Sequence, residues 1–217
     1  MIFDFLPPTE TLLLFLGSAL ALLLTPGPAV LYIITRSVDQ GRPAGLASVI
    51  GVELGNLVHV LAAAAGLSAI LLSSALAFDV VKYLGAAYLI YLGIRTLLTP
   101  IADVSAPVER KPLGKIFQQA VVVAVLNPKT ALFFFAFLPQ FIDPARGPVG
   151  TQILFLGALF VLLGTLTDGS YALAAGTAGA WLRGNPWFSR FQRYVAGTIY
   201  IGLGITAALA SNTARQD

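Results

Sequence analysis

Residues 11–35 read TLLLFLGSALALLLTPGPAVLYIIT. Without residues 25–28 this would be one apolar helix, long enough to cross a ~30 Å hydrocarbon core. Thr25-Pro26-Gly27-Pro28 interrupts it. Pro26 has no N–H and its ring clashes with the carbonyl of Leu22; Pro28 does the same to Leu24. Gly27 lets the backbone bend without a side-chain penalty. Carbonyls released in lipid are costly, so such a break has to face protein or a water-filled cavity. A cavity lined by free carbonyls suits a cation such as an ammonium group. The helix resuming at Ala29 offers free N–H groups and a positive dipole end, which suits a carboxylate.

The rest of the chain fits this membrane reading. Of its 217 residues 57% are hydrophobic and 11% charged, with a mean hydropathy of +0.84. A soluble domain does not need so much apolar surface with so few charges. The absence of cysteine excludes disulfides, thiolate metal sites and thiol catalysis. The pI near 9.3 does not imply a nucleic-acid partner, because the basic residues lie in short loops between apolar runs, where membrane topology accounts for them. Ala19-Leu20-Ala21 mimics a signal-peptide cleavage site, but no Lys or Arg precedes Arg36, and Asp4 and Glu10 are acidic. Residues 1–35 are therefore expected to hold the first span.

Six helical spans are expected, at about 9–35, 43–71, 79–99, 115–138, 150–178 and 191–210. Orientation follows from the basic residues. With the N-terminus outside, the inner loops hold Arg36, Arg42, Arg95, Arg110, Lys111, Lys115, Arg183, Arg190 and Arg193, against Lys82, Arg146 and Arg215 outside. Both termini are thus expected outside the cytoplasm. The polar connection TPIADVSAPVERKPLGK, residues 99–115, divides the chain near its middle.

The halves resemble each other. KYLGAAYLIYLGIRTLL from Lys82 matches RYVAGTIYIGLGITAAL from Arg193, pairing Tyr83 with Tyr194, Gly93 with Gly204 and Ile94 with Ile205. The first span of each half carries a breaker, Pro26/Pro28 in one and Asn127-Pro128-Lys129 in the other. Three spans per half make the second half inverted. The expected fold is an all-α membrane protein, one domain over residues 1–217, with repeat one about 1–99, a loop at 100–114 and repeat two about 115–217. Inverted repeats with interrupted helices mark a secondary transporter, with its substrate near the breaks.

Charges within spans sharpen the site. Glu53 and Asn56 share a face of the second span. Lys129 follows Pro128, and Asp168 has Thr165 and Tyr171 one turn away. Ionisable groups at membrane depth cost about 2.5–3.5 kcal/mol each and persist when they pair or bind something. Lys129 could pair with Glu53 or Asp168. His59, the only histidine, reads as a hydrogen-bonded packing residue rather than a proton carrier, and no metal site or cofactor is expected. Gly51 and Gly55 form a GxxxG that suits close packing within the bundle, or a homodimer.

LTPGPAVLYI, GVELGN, KYLGAAYLIYLGIRTL and LNPKTALFFFAFLPQFI together resemble the lysine exporter (LysE)/homoserine-lactone resistance (RhtB) family of bacterial amino-acid exporters, over nearly the whole chain. The resemblance implies a six-span protein of the bacterial inner membrane that exports amino acids or close relatives, driven by the proton gradient. A zwitterionic amino acid needs a cationic and an anionic end. Lys129, with the half-helix that begins at Asn127 and Pro128, supplies the first. Glu53 or Asp168, with the carbonyls freed around Thr25, Pro26, Gly27 and Pro28, supplies the second. Asn56 and Tyr171 complete the candidate site, and Glu53 and Asp168 are the candidates for proton coupling. A metal or small-cation exporter using the two acids as hard ligands is the alternative. An intramembrane enzyme is the weaker one, since no nucleophile motif accompanies the acids.

Overall fold

The computed structural model describes residues 5–73 and 110–182 and isolated helical positions between 80 and 98 and between 194 and 208. Among the described residues every regular element is helical. They are α1 (Thr9–Leu24), α2 (Pro28–Gln40), α3 (Arg42–Ser73), α4 (Leu113–Val125), α5 (Pro128–Leu132) and α6 (Val149–Leu182). The isolated positions fall within the expected third and sixth spans. Most of those two spans, and with them the internal alignment from Lys82 and Arg193, lies outside the described residues.

Both breaks fall where the prolines put them. Thr25 leaves the helix with φ −78° and ψ 117°. Gly27 is extended, and Pro28 takes the first position of α2, where its missing N–H costs no helix bond. α1 and α2 meet at 50°. In the second half Asn127 caps α5 and Pro128 opens it, and the chain bends by 42° between α4 and the segment Pro128–Phe141. The first broken span runs on to Gln40, beyond the expected 35, and stops at Gly41, whose φ is +83°. A further distortion precedes Pro139. After Leu132 the helix widens into a π turn at Phe133–Phe137 and then tightens into a 3₁₀ turn at Leu138–Phe141.

α3 is the central helix, packed on both α4 and α6. Small residues set its distances. A Cβ on Gly51 would stand 2.7 Å from Ala120 Cβ, and one on Gly55 would stand 2.9 Å from Val121 O. The GxxxG thus brings α3 onto α4 inside one chain. Against α6 the contacts run in antiparallel register: Gly45 beside Ala172, Glu53 on Gly164, and Val60 on Gly157.

The two ends differ in charge. At one, Arg42 donates to Thr177 Oγ1 at 2.8 Å, and Gln40 Nε2 donates to Lys111 O at 2.9 Å while Lys111 N donates back to Gln40 Oε1 at 3.0 Å. At the other, Arg146 reaches Leu6 O at 3.2 Å. The described segments expected inside therefore gather at one end, and Arg146 joins the N-terminal segment at the opposite end. Two apolar clusters fill the interior. One is aromatic, with Phe15, Phe133, Phe134, Phe137, Phe141 and Phe160. The other is built of small and branched residues, among them Ala29, Ile33, Val52, Ala120, Ala124 and Ala172.

Candidate functional site

Lys129 joins the two helix breaks. Its ammonium is buried, with 4% of the residue exposed. It donates to Leu22 O at 2.9 Å and to Thr25 O at 2.6 Å. Leu22 is the residue whose carbonyl Pro26 displaces from the helix ladder. The other displaced carbonyl, on Leu24, accepts from the Tyr171 hydroxyl at 2.8 Å. Thr25 closes the end of α1 by donating its hydroxyl to Ala21 O at 2.7 Å and its N–H to Leu22 O at 3.0 Å. The carbonyls freed in the first half are thus capped by side chains from the second half.

The start of α5 is built differently from the expectation. Asn127 Oδ1 accepts the Lys129 N–H at 3.1 Å, and Asn127 Nδ2 donates to Thr130 Oγ1 at 3.1 Å. The first free N–H of this short helix is therefore already engaged. At α2 no side chain caps the N-terminus.

The acids occupy facing helices. Glu53 on α3 accepts from Asn56 Nδ2 at 3.2 Å through Oε2. Its carboxylate lies against Gly164 of α6, one helical turn before Asp168. Asp168 interacts electrostatically with both Glu53 and Lys129. Both acids are buried, with 7% and 2% of the residues exposed. Among the described residues, Glu53 Oε1 and Asp168 Oδ1 have no hydrogen-bond partner. An unmet buried polar atom costs about 1–3 kcal/mol, more when charged.

The expected site residues therefore divide. Thr25, Asn127 and Lys129 lie at the meeting of the breaks, Glu53, Asn56 and Asp168 beside them on α3 and α6. Pro26 is half-buried, Gly27 is buried and Pro28 is exposed. Tyr171 acts on Leu24 at the end of α1. Thr165 is exposed and donates to Val161 O; Gly164 and Thr167 share the buried side of α6 with Asp168 instead. His59 Nε2 lies 3.0 Å from Ala124 O, with its ring stacked on Phe134. Thr130 and Gly164 were not singled out from the sequence. Thr130 had a signal, the three-residue spacing from Asn127 that a capping pair needs. Among the described residues no three of His, Cys, Asp and Glu are grouped to hold a metal ion.

The family model described as LysE type translocator matches residues 20–211. The chain belongs to this family. The translocator is 30% identical over 197 residues to the homoserine/homoserine lactone efflux protein of Salmonella typhimurium, covering 90% of this chain and 95% of that one. It is 32% identical over 144 residues to the leucine efflux protein of Salmonella choleraesuis, covering 65% and 68%. An uncharacterised membrane protein of Pseudomonas aeruginosa is 34% identical over 202 residues, covering 87% and 90%. No solved structure matches. The translocator is a helical, multi-pass protein of the bacterial inner membrane.

Proposed function

We propose that this translocator exports amino acids or close derivatives from the cytoplasm in exchange for protons moving inward, and that residues 1–217 form one domain of two inverted halves. The observation that carries the reading is the junction of the two helix breaks. There a buried ammonium stands within electrostatic reach of Asp168, and among the described residues both buried acids keep an oxygen unpartnered. The names of two relatives, efflux proteins for homoserine or its lactone and for leucine, support the substrate class.

The chemistry follows from the groups present. A lysine ammonium has three donors, and Lys129 uses two of them on α1. Its positive charge can face a substrate carboxylate. Glu53 and Asp168 carry the negative charge that an amino group requires. A proton competes for a carboxylate with an ammonium, whether the substrate's own or that of Lys129 once the substrate has released it, so proton and substrate oppose each other's binding, which is antiport by linkage. An inward proton gradient then drives the substrate out.

The test is transport by the purified protein in liposomes, with a panel of amino acids and derivatives in counterflow and an imposed pH gradient. Exchange of at least one panel member that responds to the gradient is expected. No exchange removes the export reading, and exchange indifferent to the gradient removes the proton coupling.

A further inference from the structure

We propose that the C-terminal end of α1 is a seat for a primary ammonium group, and that Lys129 fills it as a tethered occupant which the substrate's amino group displaces. This rests on the export reading and locates the amino end of the substrate within it. The seat is made of backbone. Pro26 and Pro28 end the helix ladder, Thr25 is held by its own bonds to Ala21 and Leu22, and the oxygens of Leu22 and Thr25 converge on one nitrogen at 2.9 Å and 2.6 Å. Thr25 has no exposed surface, so water does not satisfy these acceptors. The group they hold is the end of a lysine chain, an alkylammonium, the same chemical group that an amino acid presents.

The occupant has somewhere else to go. Asp168 attracts Lys129 electrostatically, yet no hydrogen bond joins them, and among the described residues Asp168 Oδ1 has no partner. Lys129 therefore has two sets of partners and uses one. When a substrate amino group takes the carbonyls, Lys129 turns to Asp168 or to the substrate's own carboxylate. No covalent bond changes. The N–H to carbonyl bonds made by the arriving amine replace those lost by the lysine, so the exchange costs little, and it transmits occupancy at α1 to the acid on α6. It also selects for N–H donors. A trimethylated ammonium has the charge but nothing to donate.

The experiment uses the full-length protein purified in detergent. Lys129→Ala empties the seat, and methylammonium and tetramethylammonium are the probes. Methylammonium at about a hundredfold excess over its Kd is expected to raise the unfolding midpoint of Lys129→Ala by roughly 5–10 °C. Tetramethylammonium is expected to leave it unmoved, and wild type, whose tethered lysine competes for the same carbonyls, is expected to shift less than the variant with methylammonium and not at all with tetramethylammonium. Equal shifts from both ions, no shift from either, or a wild-type shift as large as that of the variant each overturn the seat. If Lys129→Ala does not fold alone, it is prepared with each ion throughout. Recovery with methylammonium only supports the seat, and recovery with neither overturns it. In liposomes, the N-trimethylated form of a transported amino acid is expected to compete at least tenfold less well than the parent. Equal competition overturns the exchange. A methylammonium-dependent Lys129→Ala beside a wild type that transports no panel member removes the export reading and leaves the seat. Transport without methylammonium dependence removes the seat alone.

Discussion

Gly164→Ala separates the placement of Glu53 from the stability of the bundle. The added methyl would stand 2.6 Å and 2.9 Å from the two carboxylate oxygens of Glu53 and 3.1 Å from its Cδ. Against an ordinary contact of 3.4 Å, the carboxylate has to retreat by about 0.5–0.8 Å before it stops overlapping. The bond from Asn56 is 3.2 Å long, so a retreat of that size is enough to break it. A hydrogen bond to a charged group contributes about 1.5–3 kcal/mol, and alanine in a helix recovers about 1 kcal/mol over glycine. The net loss of about 0.5–2 kcal/mol lowers the unfolding midpoint by roughly 1–8 °C. Transport feels the full displacement, since 1.5–3 kcal/mol corresponds to about a 10- to 150-fold loss of affinity. Gly169→Ala is the matched control, because a Cβ there meets nothing within 4 Å. The assay is substrate counterflow in liposomes beside thermal unfolding of the same preparations. If Gly164→Ala transports as well as Gly169→Ala, Glu53 does not need its place and the reasoning fails.

Three further predictions follow from the same geometry. Lys129→Met leaves Thr25 O without the donor it has now and removes the positive charge beside Asp168; a stability loss of about 3–5 kcal/mol is expected, read by thermal unfolding, with substrate affinity falling at least a hundredfold in counterflow. Of Glu53→Gln and Asp168→Asn, one is expected to keep exchange while losing its response to a pH gradient, because an amide accepts a hydrogen bond but cannot exchange the proton; normal gradient response in both contradicts the coupling role. Gly51→Val with Gly55→Val forces α3 away from Phe117, Ala120 and Ala124 and is expected to lower the yield of folded monomer in size-exclusion chromatography; a change in dimerisation alone would place the glycines at an interface between copies.

The helix breaks were legible because proline and glycine act through local backbone geometry, which the sequence spells out at 25–28 and 127–128. The buried acids were legible because charge inside an apolar run is conspicuous. The partner of Lys129 was not. The sequence offered Glu53, Asp168 or a substrate carboxylate, and the structure gave the carbonyls of Leu22 and Thr25. A backbone acceptor has no letter of its own, so only the bend shows which carbonyls are free. Gly164 escaped notice for a related reason: its use is the room it leaves for Glu53 from another helix, a property of the α3–α6 register. The π turn at Phe133–Phe137 precedes Pro139; the proline marks the place of a distortion but does not spell out the widening, within which Phe133 packs against Phe15 and Phe160.

The capping of α1 from the far half of the chain bears on biosynthesis. Thr25 and Leu24 wait for donors 104 and 147 residues downstream, and Leu22, already bonded by the Thr25 N–H, for a second donor 107 residues downstream. When the first hairpin leaves the ribosome, its broken helix enters the membrane with the oxygens of Leu24 and Thr25 unmet, and the break is complete only after Lys129 and then Tyr171 have been inserted. The nascent first half therefore depends on water or on the insertion machinery to shield that end. A chain that stops within the 99–115 connection would keep the defect, and supplying residues 110–217 as a second polypeptide would be the means of repairing it.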